Sequence, residues 1–162
     1  MLRSVLAGLL VSIAGAVPVS HIATARAQDV QAYCATVGDD DQLRPVPARL
    51  VPDARRLFGL SRDTPSALVR KSTSVRCMSG KVWLCNYGAN LICGKANASR
   101  VSAGAAEFCK QNPGSDSVPM VATGHDTIYE WKCVGKDPHI VGQIEKIDSR
   151  GFIAGNWKRL EQ

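Results

Sequence analysis

Six cysteines constrain this chain more than any other feature: Cys34, Cys77, Cys85, Cys93, Cys109 and Cys133. An even set in an exported chain reads as disulfides, because the compartment is oxidising. Such a set can pair in about fifteen ways, and spacing does not choose among them. Zinc asks for ligands at short intervals such as C-x2-C. Here the shortest interval is C-x7-C, from Cys77 to Cys85 and again from Cys85 to Cys93. There is no C-x-x-C redox motif and no C-x-x-C-H haem attachment. The expectation is three bridges, no free thiol, no metal and no cofactor, with Cys93 joined to Cys109 to tie a loop to a helix.

Export is read from the first residues, MLRSVLAGLLVSIAGAVPVSHIATARAQ. Arg3 supplies the positive start, an apolar run follows from Val5 to Val17, and Ala25-Arg26-Ala27 is a small-x-small cleavage site. That run is about 13 residues, shorter than the roughly 20 of a spanning helix. The reading is a signal peptide over 1–27 and one disulfide-stabilised domain over 28–162, periplasmic or secreted, with no stable membrane anchor after cleavage. Losing Arg3 and Arg26 lowers the net charge from +6 to +4. A mild positive charge favours anionic partners. The cations occur at most in pairs, as in Arg55-Arg56, Arg70-Lys71 and Lys158-Arg159, which is no specific nucleic-acid footprint.

Along the mature chain, 28–47 reads as loop, and the contiguous Asp39, Asp40 and Asp41 as a solvated turn. They lack the alternating ligands, glycine and closing glutamate of a calcium loop. VPDARRLFG is a helix, with Pro52 in its first turn and Gly59 past its end. TPSALV starts a second turn, with Thr64 as N-cap. SVRCMSGKVWLCNY is a hairpin turning at Ser79-Gly80. That register puts Val75, Cys77, Val82 and Leu84 on one face and Trp83, Cys85 and Tyr87 on the other, so Cys77 and Cys85 do not bond. SAGAAEFCKQNPG is the clearest helix, capped by Ser102 and stopped by Pro113, with Ala105, Phe108 and Cys109 inward. Three strands close the chain: Thr127 to Val134, Ile140 to Ile147 and Phe152 to Trp157. The expected fold class is α+β: an antiparallel sheet, made of the hairpin plus a C-terminal three-stranded meander, with about two short helices.

The stretch GHDTIYEWKC decides how enzyme-like the chain looks. Thr127, Tyr129, Trp131 and Cys133 alternate with Ile128, Glu130, Lys132 and Val134, the pattern of a strand with one buried face. Trp131 then belongs to the core and His125 to an exposed rim. Adjacent residues on an extended chain point opposite ways, which separates His125 from Asp126. His139 lies beyond the strand's far end, roughly 25 Å away at strand rise. No G-x-S-x-G, H-E-x-x-H or phosphate loop is present. The candidate binding positions are therefore two loops, 86–97 with Tyr87, Asn90 and Lys95, and 122–126 with Thr123, His125 and Asp126. Loops carry binding on stable scaffolds, and a bridge at Cys85 or Cys93 would preorganise the first.

CMSGKVWLCNYGANLICGKAN and PMVATGHDTIYEWKC resemble segments of small exported alphaproteobacterial proteins that carry no assigned function, a likeness over most of the mature chain. In outline the chain is also similar to the periplasmic inhibitors of C-type lysozyme, small bridged envelope proteins that block an enzyme with a loop. ATGHDTIYEW stands where such a loop precedes a strand. That family is a barrel with fewer cysteines, whereas this chain has two helix signals and lacks its serine-glycine and tyrosine motifs. The expectation is an exported envelope binding domain without catalytic activity, its partner an envelope or extracellular protein or an anionic glycan. The alternative is a small secreted hydrolase using His125 as general acid/base.

Overall fold

The computed structural model describes residues 29–88 and 90–161, so the signal-peptide reading over 1–27 lies outside the described residues. All six cysteines are bridged, Cys34–Cys77, Cys85–Cys93 and Cys109–Cys133, and none is free. The expected Cys93–Cys109 pair is wrong. Each bridge instead closes within a local unit.

The first unit is built on the expected hairpin, β2 (Thr73–Met78) and β3 (Lys81–Asn86). Met78 faces Lys81 and Cys77 faces Val82, leaving Ser79-Gly80 as a two-residue loop. Both loop residues have positive φ, 51° and 71°, the twist that joins right-handed strands without splaying them. The two faces follow from this register. Val75, Cys77, Val82 and Leu84 pack in one core cluster with Cys34. Cys85 packs on the other side with Cys93, Phe152 and Trp157.

The segment read as loop is in fact α1 (Val30–Val37) and β1 (Asp40–Pro45). Only Cys34 of α1 is buried, so its helical periodicity is faint in sequence. The helix is held from outside, by the Cys34–Cys77 bridge and by the Tyr33 hydroxyl, which donates to Asp40 at 2.6 Å. The three aspartates are equally committed. Asp39 accepts from the Ser79 amide at 2.7 Å, across the mouth of the hairpin turn. Asp40 pairs with Arg44 at 2.7 Å. Asp41 takes both Lys95 at 2.7 Å and Arg150 at 3.0 Å. The solvated-turn reading of these residues does not hold. Each carboxylate ties β1 or its approach to a different segment.

Two further helices pack on this sheet, α2 (Val51–Phe58), ending at Gly59 as expected, and α3 (Ser66–Ser72), which Pro65 rather than Thr64 precedes as cap. The second unit holds α4 (Ala103–Gln111), α5 (Met120–Thr123) and the hairpin β4 (Tyr129–Val134) with β5 (Asp137–Gln143). Ser102 caps α4 by accepting from the Ala105 amide at 3.1 Å. Gly104 is required here, since a Cβ would lie 1.8 Å from the Ala122 carbonyl oxygen. Trp131 is core, packed with Ala105, Cys109, Val118 and Cys133.

The α+β class with antiparallel sheets stands, with five α-helices among the described residues rather than about two. The C-terminal meander does not form as a three-stranded sheet: past the turn at 148–151 its third strand is reduced to one antiparallel bridge, Ile147 with Ile153. β4 and β5 make a two-stranded sheet, and β6 (Lys158–Arg159) crosses back to pair with β3, giving the order β1-β2-β3-β6. The reason is a buried guanidinium. Arg76 is 1% exposed. Its carbon stands 4.0 Å from the Phe152 ring centre and 4.5 Å from that of Trp157. Asp148 supplies its counter-charge. Arg76 Nε and Nη1 have no hydrogen-bond partner, so the ring faces and Asp148 carry the compensation. Phe152 and Trp157 face Arg76, and the pairing of their segment with the stretch after β5 stops at the Ile147–Ile153 bridge.

Candidate functional site

The two candidate loops meet, but through backbone. The Asn97 amide donates to the Asp126 carbonyl at 2.7 Å, and the Ile128 amide to the Asn97 carbonyl at 3.2 Å. Among the described residues no side-chain hydrogen bond, ion pair or ring contact joins Tyr87, Asn90 or Lys95 to Thr123, His125 or Asp126. Tyr87 is exposed, and its hydroxyl accepts from Ser74 at 3.2 Å. Asn90 lies exposed in a bend. Lys95 is occupied by Asp41 and the Arg150 carbonyl, and its ammonium stands 4.3 Å from the Phe152 ring centre. Its charge is spent on holding the fold. Around this clamp the Arg150 hydrogen bond and the Lys95 ammonium draw the Asp41 pKa below its usual value, and Asp41 in turn raises that of Arg150.

In the second loop, Gly124 has φ +93°, and the Asp126 carboxylate folds over it, 2.5 Å from where a Cβ would stand. Only glycine permits both. The next side chain, Thr127, is buried and accepts from the Tyr129 amide at 3.3 Å and the Trp131 indole at 3.5 Å. The loop is thereby sealed to the hydrophobic strand behind it. His125 is half-buried rather than an exposed rim residue, and its Nδ1 is enclosed without a hydrogen-bond partner. His139 is exposed on β5, opposite Lys132. It stands within the hairpin rather than beyond the strand's end, because Gly135-Lys136 alone forms the turn. Among the described residues, neither the His125 nor the His139 side chain makes a hydrogen bond or ion pair with a carboxylate. Among the described residues no three of His, Cys, Asp and Glu gather as a metal site.

A concavity that sequence reasoning missed opens beside this loop. It measures about 320 Å³, and its walls include Val118, Met120, Thr123, Tyr129, Glu130 and Ile144. Thr123 belongs to a candidate loop; the rest are gathered from three segments. Val118 is held against β4 by its amide, which donates to the Trp131 carbonyl at 2.8 Å. Pro119 then turns the chain into α5, whose side chains form one wall. Ile144 reaches the opposite wall because its amide donates to the Ile128 carbonyl at 2.9 Å. The one sequence signal was SVPMVAT, an apolar run broken by a proline. A second, more open depression of about 250 Å³, bordered by Asp29, Arg49 and Asp53, begins at the first described residue.

No protein-family model matches the chain, and neither a curated protein nor a solved structure does. Three disulfides fit an oxidising, non-cytoplasmic setting. Among the described residues no helix is long and apolar enough to cross a membrane.

Proposed function

We propose that the protein is an exported binding module of the cell envelope, periplasmic or secreted, without catalytic activity of its own. Its partner is an envelope or extracellular protein or an anionic glycan. The observation that carries this reading is the cleft between α5 and β4, where the apolar Val118, Met120 and Ile144 stand beside the polar groups of Ser117, Thr123, Tyr129 and Glu130. Concave, largely apolar sites with few polar groups are the usual form of a binding site. The frame behind it is stiffened, since Cys109–Cys133 ties α4 to β4 beneath the cleft. A stiff site loses little entropy on binding.

The test is capture from an envelope extract by the oxidised mature chain, beside Met120→Asp and His125→Ala variants. The expected result is a partner retained by wild type and by His125→Ala but lost by Met120→Asp. Retention by all three would overturn the cleft as the site. A hydrolytic activity abolished in His125→Ala would overturn the non-catalytic reading. N-terminal sequencing of the exported protein is expected to begin at Gln28, and finding Met1 there would contradict signal cleavage.

A further inference from the structure

Resting on the cleft as a binding site, we infer what chemistry its partner presents: a protein segment carrying an aliphatic or aromatic side chain next to a lysine or arginine.

The apolar half of this inference comes from what the fold leaves uncovered. Val118, Met120, Tyr129 and Ile144 line the cleft, and Met120 is 37% and Ile144 48% exposed. Val121, beside Met120 on α5, is 86% exposed, and Val101, just before α4, is 82% exposed. Gly104 packs directly on the Ala122 carbonyl, which sets α5 against α4 with Met120 and Val121 turned outward. Apolar groups held outward around a concavity mark an interaction surface, and a single anchor seated in a pocket commonly dominates such contacts.

The charged half comes from Glu130. It is the one lining residue that is charged at neutral pH, it is exposed, and among the described residues it makes no ion pair or side-chain hydrogen bond. Among the described residues, half of the acidic side chains are taken up in ion pairs. Asp29, Asp40, Asp41, Asp53, Glu107, Asp148 and Glu161 each hold a lysine or arginine. The nearest aromatic partner of a cation at this site, Tyr129, already has the Arg100 guanidinium 5.4 Å from its ring centre. The carboxylate of Glu130 is therefore the open electrostatic contact on the cleft wall, and a cation on the partner complements it. An anionic glycan would meet an apolar wall and a like charge here.

The experiment is selection of a phage-displayed random peptide library on the oxidised mature chain, followed by anisotropy titration of the enriched peptide. The expected consensus places Leu, Ile, Phe or Trp beside Lys or Arg. Its affinity is expected to fall about tenfold or more in Met120→Asp and in Glu130→Lys, and to be kept in Glu130→Asp. Near-ultraviolet circular dichroism checks that each variant is folded, and both substituted side chains are exposed. A consensus without a basic residue, or an affinity unmoved by Glu130→Lys, would overturn the partner chemistry and leave the cleft standing. Direct binding of labelled dextran sulfate to the chain that is lost in Met120→Asp would point to an anionic glycan at the cleft and overturn it too. Absence of any peptide whose binding depends on Met120 would overturn both the inference and the cleft reading.

Discussion

The two units of this protein handle charge and apolar surface in opposite ways. The four-stranded unit uses its ions to hold segments together: Arg76 is buried between Phe152 and Trp157, and at the surface Asp41 clamps Lys95 and Arg150. The α4–α5–β4–β5 unit has a core of apolar and cysteine side chains without a buried charge, and it turns apolar residues outward. Among the described residues, seven of the ten exposed large hydrophobics lie from Val101 onward, four of them on α5, β4 and β5, so the second unit carries much of the unpartnered surface. Buried ion networks specify one arrangement at a desolvation cost, and apolar surface left in water stabilises nothing until it is covered. The first unit behaves as a frame and the second as the presenting surface.

The sharpest way to break this comparison is to strand the buried charge. Asp148→Ala leaves Arg76 without its counter-ion, and the loss is expected to be about 3–5 kcal/mol. In an Arg76→Met background the same change is expected to cost far less, because no charge is left unpaired. Denaturant unfolding of the four proteins of this cycle measures it. Equal losses in both backgrounds would mean that the pair is not what holds Phe152 and Trp157 in place.

The bridges give the next largest effects, and they sharpen the contrast. Cys109–Cys133 spans 24 residues and Cys85–Cys93 spans 8. Loop-closure entropy then predicts losses of about 3.5 and about 2.5 kcal/mol when each pair is changed to serine. Losing the first is also expected to weaken peptide binding at the cleft, since β4 forms one wall; losing the second is not. Unfolding and anisotropy on the same two variants check this, and the reverse order of binding losses would contradict the division of roles.

The smallest effect concerns acid. The Tyr33 hydroxyl bond, more than any other contact, holds the Asp40 pKa down to about 2 from 3.8, helped by the Gln42 amide and Arg44. A carboxylate whose pKa is depressed on folding contributes stability above its unfolded pKa and loses it as pH falls through the folded one. The contribution is thus complete above about pH 4–5 and gone near pH 2. Tyr33→Phe is expected to destabilise by about 1 kcal/mol at neutral pH and to flatten the fall between pH 5 and pH 2. An unchanged pH profile in that variant would contradict the assignment.

What could be read from sequence divides along local and long-range lines. The hairpin register, the caps Ser102 and Gly59 and the burial of Trp131 follow from turn chemistry and periodicity, and they are present. α1 and β1 were not legible, since a helix with one buried residue and a strand headed by aspartates lean on partners distant in sequence, as Cys34 with Cys77, Asp39 with Ser79 and Arg44 with Val75 show. β6 was hidden for the same reason. A buried arginine leaves no periodic trace, yet it redirects Phe152 to Trp157 away from the meander. Of the cleft, only Thr123 was among the candidate positions. Its other walls come from segments that the fold alone brings together.

The central claim is that binding occurs on the second unit, at α5 and β4, and not on the 86–97 loop that the Cys85–Cys93 bridge ties down. Amide hydrogen exchange of the oxidised mature chain, with and without its captured partner, tests this most directly. The predicted result is new protection across 117–130 and at Ile144, with 86–96 unchanged. Protection confined to 86–96, or to the α2–α3 face, would contradict it.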